Sequence, residues 1–126
     1  MSVLHLDHLV LTVVSTEDTC RFYENVLGMK RETFGTGRTA LKFGDQKINL
    51  HEAGKEFEPK ARLATPGSAD LCFIVENLPK IQTQITGAGV EIIEGPVPRT
   101  GATGPISSIY IRDPDGNLLE LATAIR

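Results

Sequence analysis

The chain repeats one pattern of elements twice, each copy about sixty residues long, and that repetition restricts its fold more than any bulk property does. In the first copy, Leu4 to Val13 alternates, with Leu9, Leu11 and Val13 on one face and Leu6, His8 and Val10 on the other, as in a strand covered on one side. Ser15 and Asp18 then make a helix-opening cap, Cys20, Phe22, Tyr23, Val26 and Leu27 form an apolar stripe, and Gly28 supplies a left-handed stop. Three short strands follow, at Lys30 to Phe34, Thr39 to Phe43 and Lys47 to Glu52, with glycine-bearing turns between them. The second copy predicts a strand from Ala69 to Glu76 and a helix from Leu78 with Pro79 in its first turn and Gly89 as its stop. Its last three strands are expected at Val90 to Glu94, Ile106 to Arg112 and Asn117 to Thr123, with Gly95 to Pro105 a glycine- and proline-rich loop able to close over a cleft. The expected fold is α+β: one domain over residues 1–126, made of two βαβββ modules (1–52 and 68–126) joined by a connector at 53–67, with a cupped mixed sheet and helices outside.

Superposing the copies aligns the polar residues. His8 falls on Asp70, and Asn49 falls on Glu120, all four on the strand face opposite the one assigned to the helices. Glu120 stands among Leu118, Leu119 and Leu121, where a strand facing a core would carry an apolar side chain. An unpaired buried carboxylate costs several kcal/mol, so Glu120 must reach solvent, a cation or a metal. His51, two residues beyond Asn49, shares its face, whereas the parity of His5 puts it on the other side. His8, His51, Asp70 and Glu120 are therefore candidate ligands. Nitrogen and oxygen donors without thiolate suit Zn, Ni, Mn, Co or Fe at an open catalytic site. The same residues also suit a solvated cleft in which a histidine and acids bond one another.

Composition removes several function classes. A net charge of -3 with scattered Lys and Arg offers no basic stripe for nucleic acid, and no apolar run is long enough for a membrane span or a signal peptide. A cytoplasmic location is expected. Cys20 and Cys72 lack a CxxC spacing and read as reduced core thiols without a catalytic role.

Asp7-His8-Leu9-Val10-Leu11, Phe22-Tyr23-Glu24-Asn25-Val26-Leu27-Gly28-Met29 and Asp113-Pro114-Asp115-Gly116-Asn117-Leu118-Leu119-Glu120 resemble the vicinal oxygen chelate superfamily over nearly the whole chain. That superfamily includes glyoxalase I, methylmalonyl-CoA epimerase, fosfomycin resistance enzymes and extradiol dioxygenases. Phe43-Gly44-Asp45-Gln46-Lys47, Asn49-Leu50-His51-Glu52 and Glu94-Gly95-Pro96-Val97-Pro98-Arg99-Thr100-Gly101 are most similar to the glyoxalase domain-containing protein 5 type. The resemblance implies that His8 and Glu120 are metal ligands and Glu120 the catalytic carboxylate. Asp70 stands where the family carries histidine, and Asn49 where glyoxalase I carries a glutamate or glutamine, so glyoxalase I activity itself is less expected. His51, Asp70 or the shorter, weaker Asn49 would complete the ligand set.

Tyr110 lies at the spacing from Glu120 at which fosfomycin enzymes carry a substrate-contacting tyrosine, Ser108 shares its face, and Arg99 in the glycine-rich loop would meet an anionic substrate. Without a substrate, Tyr110 is an ordinary strand aromatic and Arg99 a solvated side chain. The functional expectation is a metal-dependent lyase, isomerase or transferase acting on a small oxygenated metabolite. The alternatives are a metal-free binding protein of the bleomycin-resistance type and, more remotely, a dioxygenase. A homodimer is expected, with modules exchanged through the connector as one route to it.

Overall fold

The structure is a computed structural model that describes residues 2–125, and it divides into two compact units, residues 1–66 and 67–126. The connector thus belongs almost entirely to the first unit. That unit runs β1 (His8–Val13), α1 (Thr16–Leu27), β2 (Lys30–Phe34), β3 (Arg38–Phe43) and β4 (Gln46–Glu52). The second runs β5 (Asp70–Ile74), α2 (Leu78–Gly87), β6 (Glu94–Gly101), β7 (Gly104–Arg112) and β8 (Leu118–Ala124). Each unit forms a four-stranded mixed sheet of the same topology, β1-β4-β3-β2 and β5-β8-β7-β6, with the first and last strands of each unit parallel and the others antiparallel. The α+β class and the repeated βαβββ order are both present.

The local signals explain the elements. Ser15 Oγ accepts the Asp18 N–H at 3.1 Å to open α1, and Gly28 closes it at φ 72° while Met29 N–H returns to the Tyr23 carbonyl at 3.1 Å. Asn77 caps α2 in the same way by accepting the Lys80 N–H at 3.0 Å, with Pro79 in the first turn. In the first unit, Leu11, Val13, Ile48 and Leu50 bury one sheet face, and Cys20, Tyr23 and Val26 of α1 belong to the same unit's core. In the second, Ile109, Ile111, Leu119 and Leu121 are fully buried, as is Ile85 of α2. Each such side chain contributes about 2 kcal/mol of apolar burial.

Three expectations are corrected. Residues 90–93 are not a strand, and the expected loop from Gly95 is instead β6, paired with β7 from Val97↔Ser108 to Gly101↔Gly104. β6 is the edge of its sheet, where prolines at 96 and 98 remove N–H groups that no neighbouring strand needs, and a bulge between Glu94 and Val97 absorbs the irregularity. Cys72 is no core thiol. It is exposed, because β5 alternates and the odd member of its apolar run turns away from the helix, whereas Cys20 is buried. No helix among the described residues is long and apolar enough to cross a membrane.

Candidate functional site

The sheet registers place the polar residues in matching positions within each unit. Asn49 lies opposite Val10, two residues past His8, and Glu120 lies opposite Cys72, two residues past Asp70. His8 and Asn49 are therefore diagonal neighbours on one face, and so are Asp70 and Glu120.

In the first unit, the His8 ring lies 43% exposed, with Nδ1 2.8 Å from the Asp7 carboxylate. An Nδ1–H donated to Asp7 fixes the tautomer that carries its lone pair on Nε2, the arrangement in which imidazole ligates a metal. The same bond holds the Asp7 carboxyl below its ordinary range. Sequence reasoning did not assign Asp7 a role, although a carboxylate beside a candidate ligand histidine was the available signal. His51 is in a different place. It pairs in register with Thr12, four residues beyond His8, and at about 3.3 Å per residue that separation is roughly 13 Å along the strand. That spacing sets His51 apart from His8 along the sheet. His51 is buried, its ring is 5.5 Å from Phe57 in an edge-to-face contact, and Arg38 lies 4.3 Å over the other aromatic partner, Phe57. Burial and then the Arg38 charge push its pKa down, which keeps the ring neutral.

In the second unit, Ser108 and Tyr110 of β7 lie beside Glu120 of β8. Ser108 donates its hydroxyl to Glu120 Oε2 at 2.6 Å, which answers the demand that this carboxylate have a partner. Tyr110 lies directly opposite Glu120 across β7 and β8. Arg99 is not a free loop cation. It stands on β6, where its Nε–H donates to the Tyr110 hydroxyl at 2.9 Å and a terminal nitrogen donates to Glu94 at 2.9 Å. The Tyr110 bond and then Glu94 raise the Arg99 pKa. Asp70 is exposed at the start of β5. Cys72 adjoins Glu120, and burial followed by the charges of Glu120 and Asp70 pushes its thiol up, away from the reactive thiolate.

Among the described residues, no three His, Cys, Asp or Glu side chains form a group able to hold a metal. The first unit offers an imidazole oriented by a carboxylate, and the second, taken by itself, a bonded carboxylate with an adjacent acid; both are donor types that divalent ions take.

A family model described as the Glyoxalase/Bleomycin resistance protein/Dioxygenase superfamily matches residues 5–121. Virulence protein STM3117 of Salmonella typhimurium is 58% identical over 97% of this chain and 85% of its own length. The glyoxalase domain-containing protein RDO1 of Mycosarcoma maydis is 54% identical over 98% of this chain and 70% of its own. The solved structure of an integron cassette protein from the mobile metagenome of V. cholerae has a TM-score of 0.97 at 58% identity, covering 99% of this chain and 98% of that one. More distantly, a lactoylglutathione lyase from Agrobacterium tumefaciens shares the fold at a TM-score of 0.76 and 20% identity, over 98% of this chain and 96% of that one.

Proposed function

Because this chain belongs to the Glyoxalase/Bleomycin resistance protein/Dioxygenase superfamily, we propose that it is a divalent-metal-dependent enzyme of the lyase, isomerase or transferase type. Its substrate is a small oxygenated metabolite, and its ligands include His8 and Glu120, with Asp70 as the third and His51 left out. The observation that carries this reading is the Asp7–His8 pair, since a histidine whose Nδ1–H is held by a carboxylate presents Nε2 as a ready donor atom. A bound divalent ion would stabilise negative charge developing on substrate oxygen. The remaining chemistry belongs to the chain's own residues. Ser108 fixes one oxygen of Glu120 and leaves Oε1 to take a proton from a carbon beside a carbonyl. Arg99 and Tyr110, already joined to each other, offer a cation and a hydroxyl to an anionic group of the substrate. The protein acts in the cytoplasm, in keeping with free Cys20 and Cys72.

An ion that binds only the native state raises its melting temperature. Protein stripped with EDTA should gain about 5 °C on addition of excess Zn, Ni, Mn or Co, with no gain in His8→Ala. Equal gains in the two proteins would remove His8 from the site. A second reading is metal-free binding of a small molecule, with the joined Arg99 and Tyr110 as the groups that meet it. It predicts ligand binding that EDTA leaves intact.

We also propose a homodimer. β1 and β5 are edge strands, and Ile74 on β5 is 69% exposed, an apolar side chain that a second copy would cover. Light scattering should return about twice the chain mass of 13.7 kDa. A species at the chain mass would refute the dimer.

A further inference from the structure

The first unit contains a pocket of about 470 Å³ lined by Val10, Thr12, His51, Pro59, Lys60 and Ala61, none of which the proposed metal chemistry uses. Its walls are mostly aliphatic. Three of its lining residues can donate hydrogen bonds, Thr12, His51 and Lys60, and the carboxylate nearest to them is that of Glu58, bonded to Lys60. His51 is the informative member. It is only 7% exposed, and its Nδ1 is buried without any hydrogen-bond partner. A neutral imidazole carries one N–H and one lone pair, and a buried acceptor left open is tolerated better than a buried N–H left open. The lone pair therefore sits on Nδ1 and the proton on Nε2, the ring nitrogen left to meet a ligand. Phe57 fixes the ring by its edge-to-face contact at 5.5 Å, so the donor is held in place before anything binds. Lys60 is likewise held, by Glu58 at 2.8 Å. Arg38, over Phe57, adds positive charge, which Glu56 and Glu58 partly offset.

We propose that this pocket is a binding site for a small aliphatic carboxylate, its oxygens taken by His51 Nε2–H, Thr12 and Lys60 and its hydrocarbon body lying against Val10, Pro59 and Ala61. The polar end of the pocket is set apart from His8, since His51 lies roughly 13 Å along the strand from it with Val10 between them on the same face.

The test uses hexanoate as the probe and long-range ¹H–¹⁵N spectra of the full chain, which report the His51 tautomer and its response to ligand. The free protein should show the Nε2–H tautomer, and hexanoate should shift the His51 ring signals saturably, with hexanol binding at least about tenfold more weakly. His51→Phe and Lys60→Met should each weaken hexanoate about tenfold, and His51→Gln, which keeps a donor, less than His51→Phe. Thermal unfolding of each variant separates lost binding from lost fold. An Nδ1–H tautomer, ring signals unmoved by hexanoate, or equal affinity for hexanoate and hexanol would overturn the proposal. So would unchanged affinity in a folded His51→Phe.

Discussion

Replacing Gly95 by alanine is expected to lower the stability of the protein by about 3 kcal/mol or more, a fall in melting temperature of about 10 °C. Two separate effects add there. Gly95 has φ 105°, a conformation that L side chains rarely adopt. A Cβ on it would also stand 2.3 Å from the Ser108 carbonyl oxygen and 2.9 Å from Ile109 Cα, both backbone atoms that cannot swing aside. Relief requires β6 to move off β7, which opens the hairpin beside Ser108 and hence beside the Ser108–Glu120 bond. Gly44→Ala is the control. Its φ of 57° is also positive, but nothing lies within 4 Å of the added carbon, so only the backbone term of about 1 kcal/mol remains. Thermal unfolding of the two variants separates the terms. Equal losses would show that the close approach at Gly95 costs nothing.

Removing the Asn117 side chain should cost about 3 kcal/mol, the second large effect expected. Asn117 is 1% exposed, and its side chain closes a buried network. Its Nδ2 donates to Asp113 Oδ2 at 2.8 Å, while Asp113 Oδ1 accepts the N–H groups of Asp115 and Asn117 at 3.0 Å each. Asn117 Oδ1 accepts the Ala69 N–H at 2.9 Å, and Leu118 N–H returns to the Ala69 carbonyl at 3.1 Å. In Asn117→Ala the Asp113 carboxylate loses a donor and the Ala69 N–H loses its acceptor, both where water cannot replace them readily. Ala69 precedes Asp70, so the network also sets the register in which Asp70 and Glu120 become neighbours. Denaturant unfolding measures the loss, and a change under about 1 kcal/mol would show that the network is not worth its burial.

These cases show what could be read in the residues and what could not. The alternation of Leu9, Leu11 and Val13, the Ser15 cap and the Gly28 stop act over a few residues, and the elements form where those local rules put them. The kinship of His8 with Asp70 and of Asn49 with Glu120 was legible because a repeated topology repeats its register. The demand that Glu120 have a partner was legible as well, but the identity of the partner, Ser108, depends on the pairing of β7 with β8. The segment from Gly95 read as a loop because its prolines and glycines are loop residues in most settings. Its strand character comes from lying at a sheet edge, which only the assembled sheet defines. Cys72 turns outward although it sits in a run of five apolar residues, which conceals which members face solvent. The surroundings of His51 were illegible for a further reason: Phe57 and Lys60 reach it only because the connector folds back on its own unit.

The proposed function requires His8 and Glu120 each to bind a divalent ion. Protein purified without chelator, alongside His8→Ala and Glu120→Gln, tests it by elemental counting of bound metal. His8 is exposed, and glutamine can still accept the Ser108 bond, so both variants should fold. About one divalent ion per chain is expected in the parent protein, and a loss of most of it in each variant. A parent protein without metal, or the same metal content in all three, would contradict it.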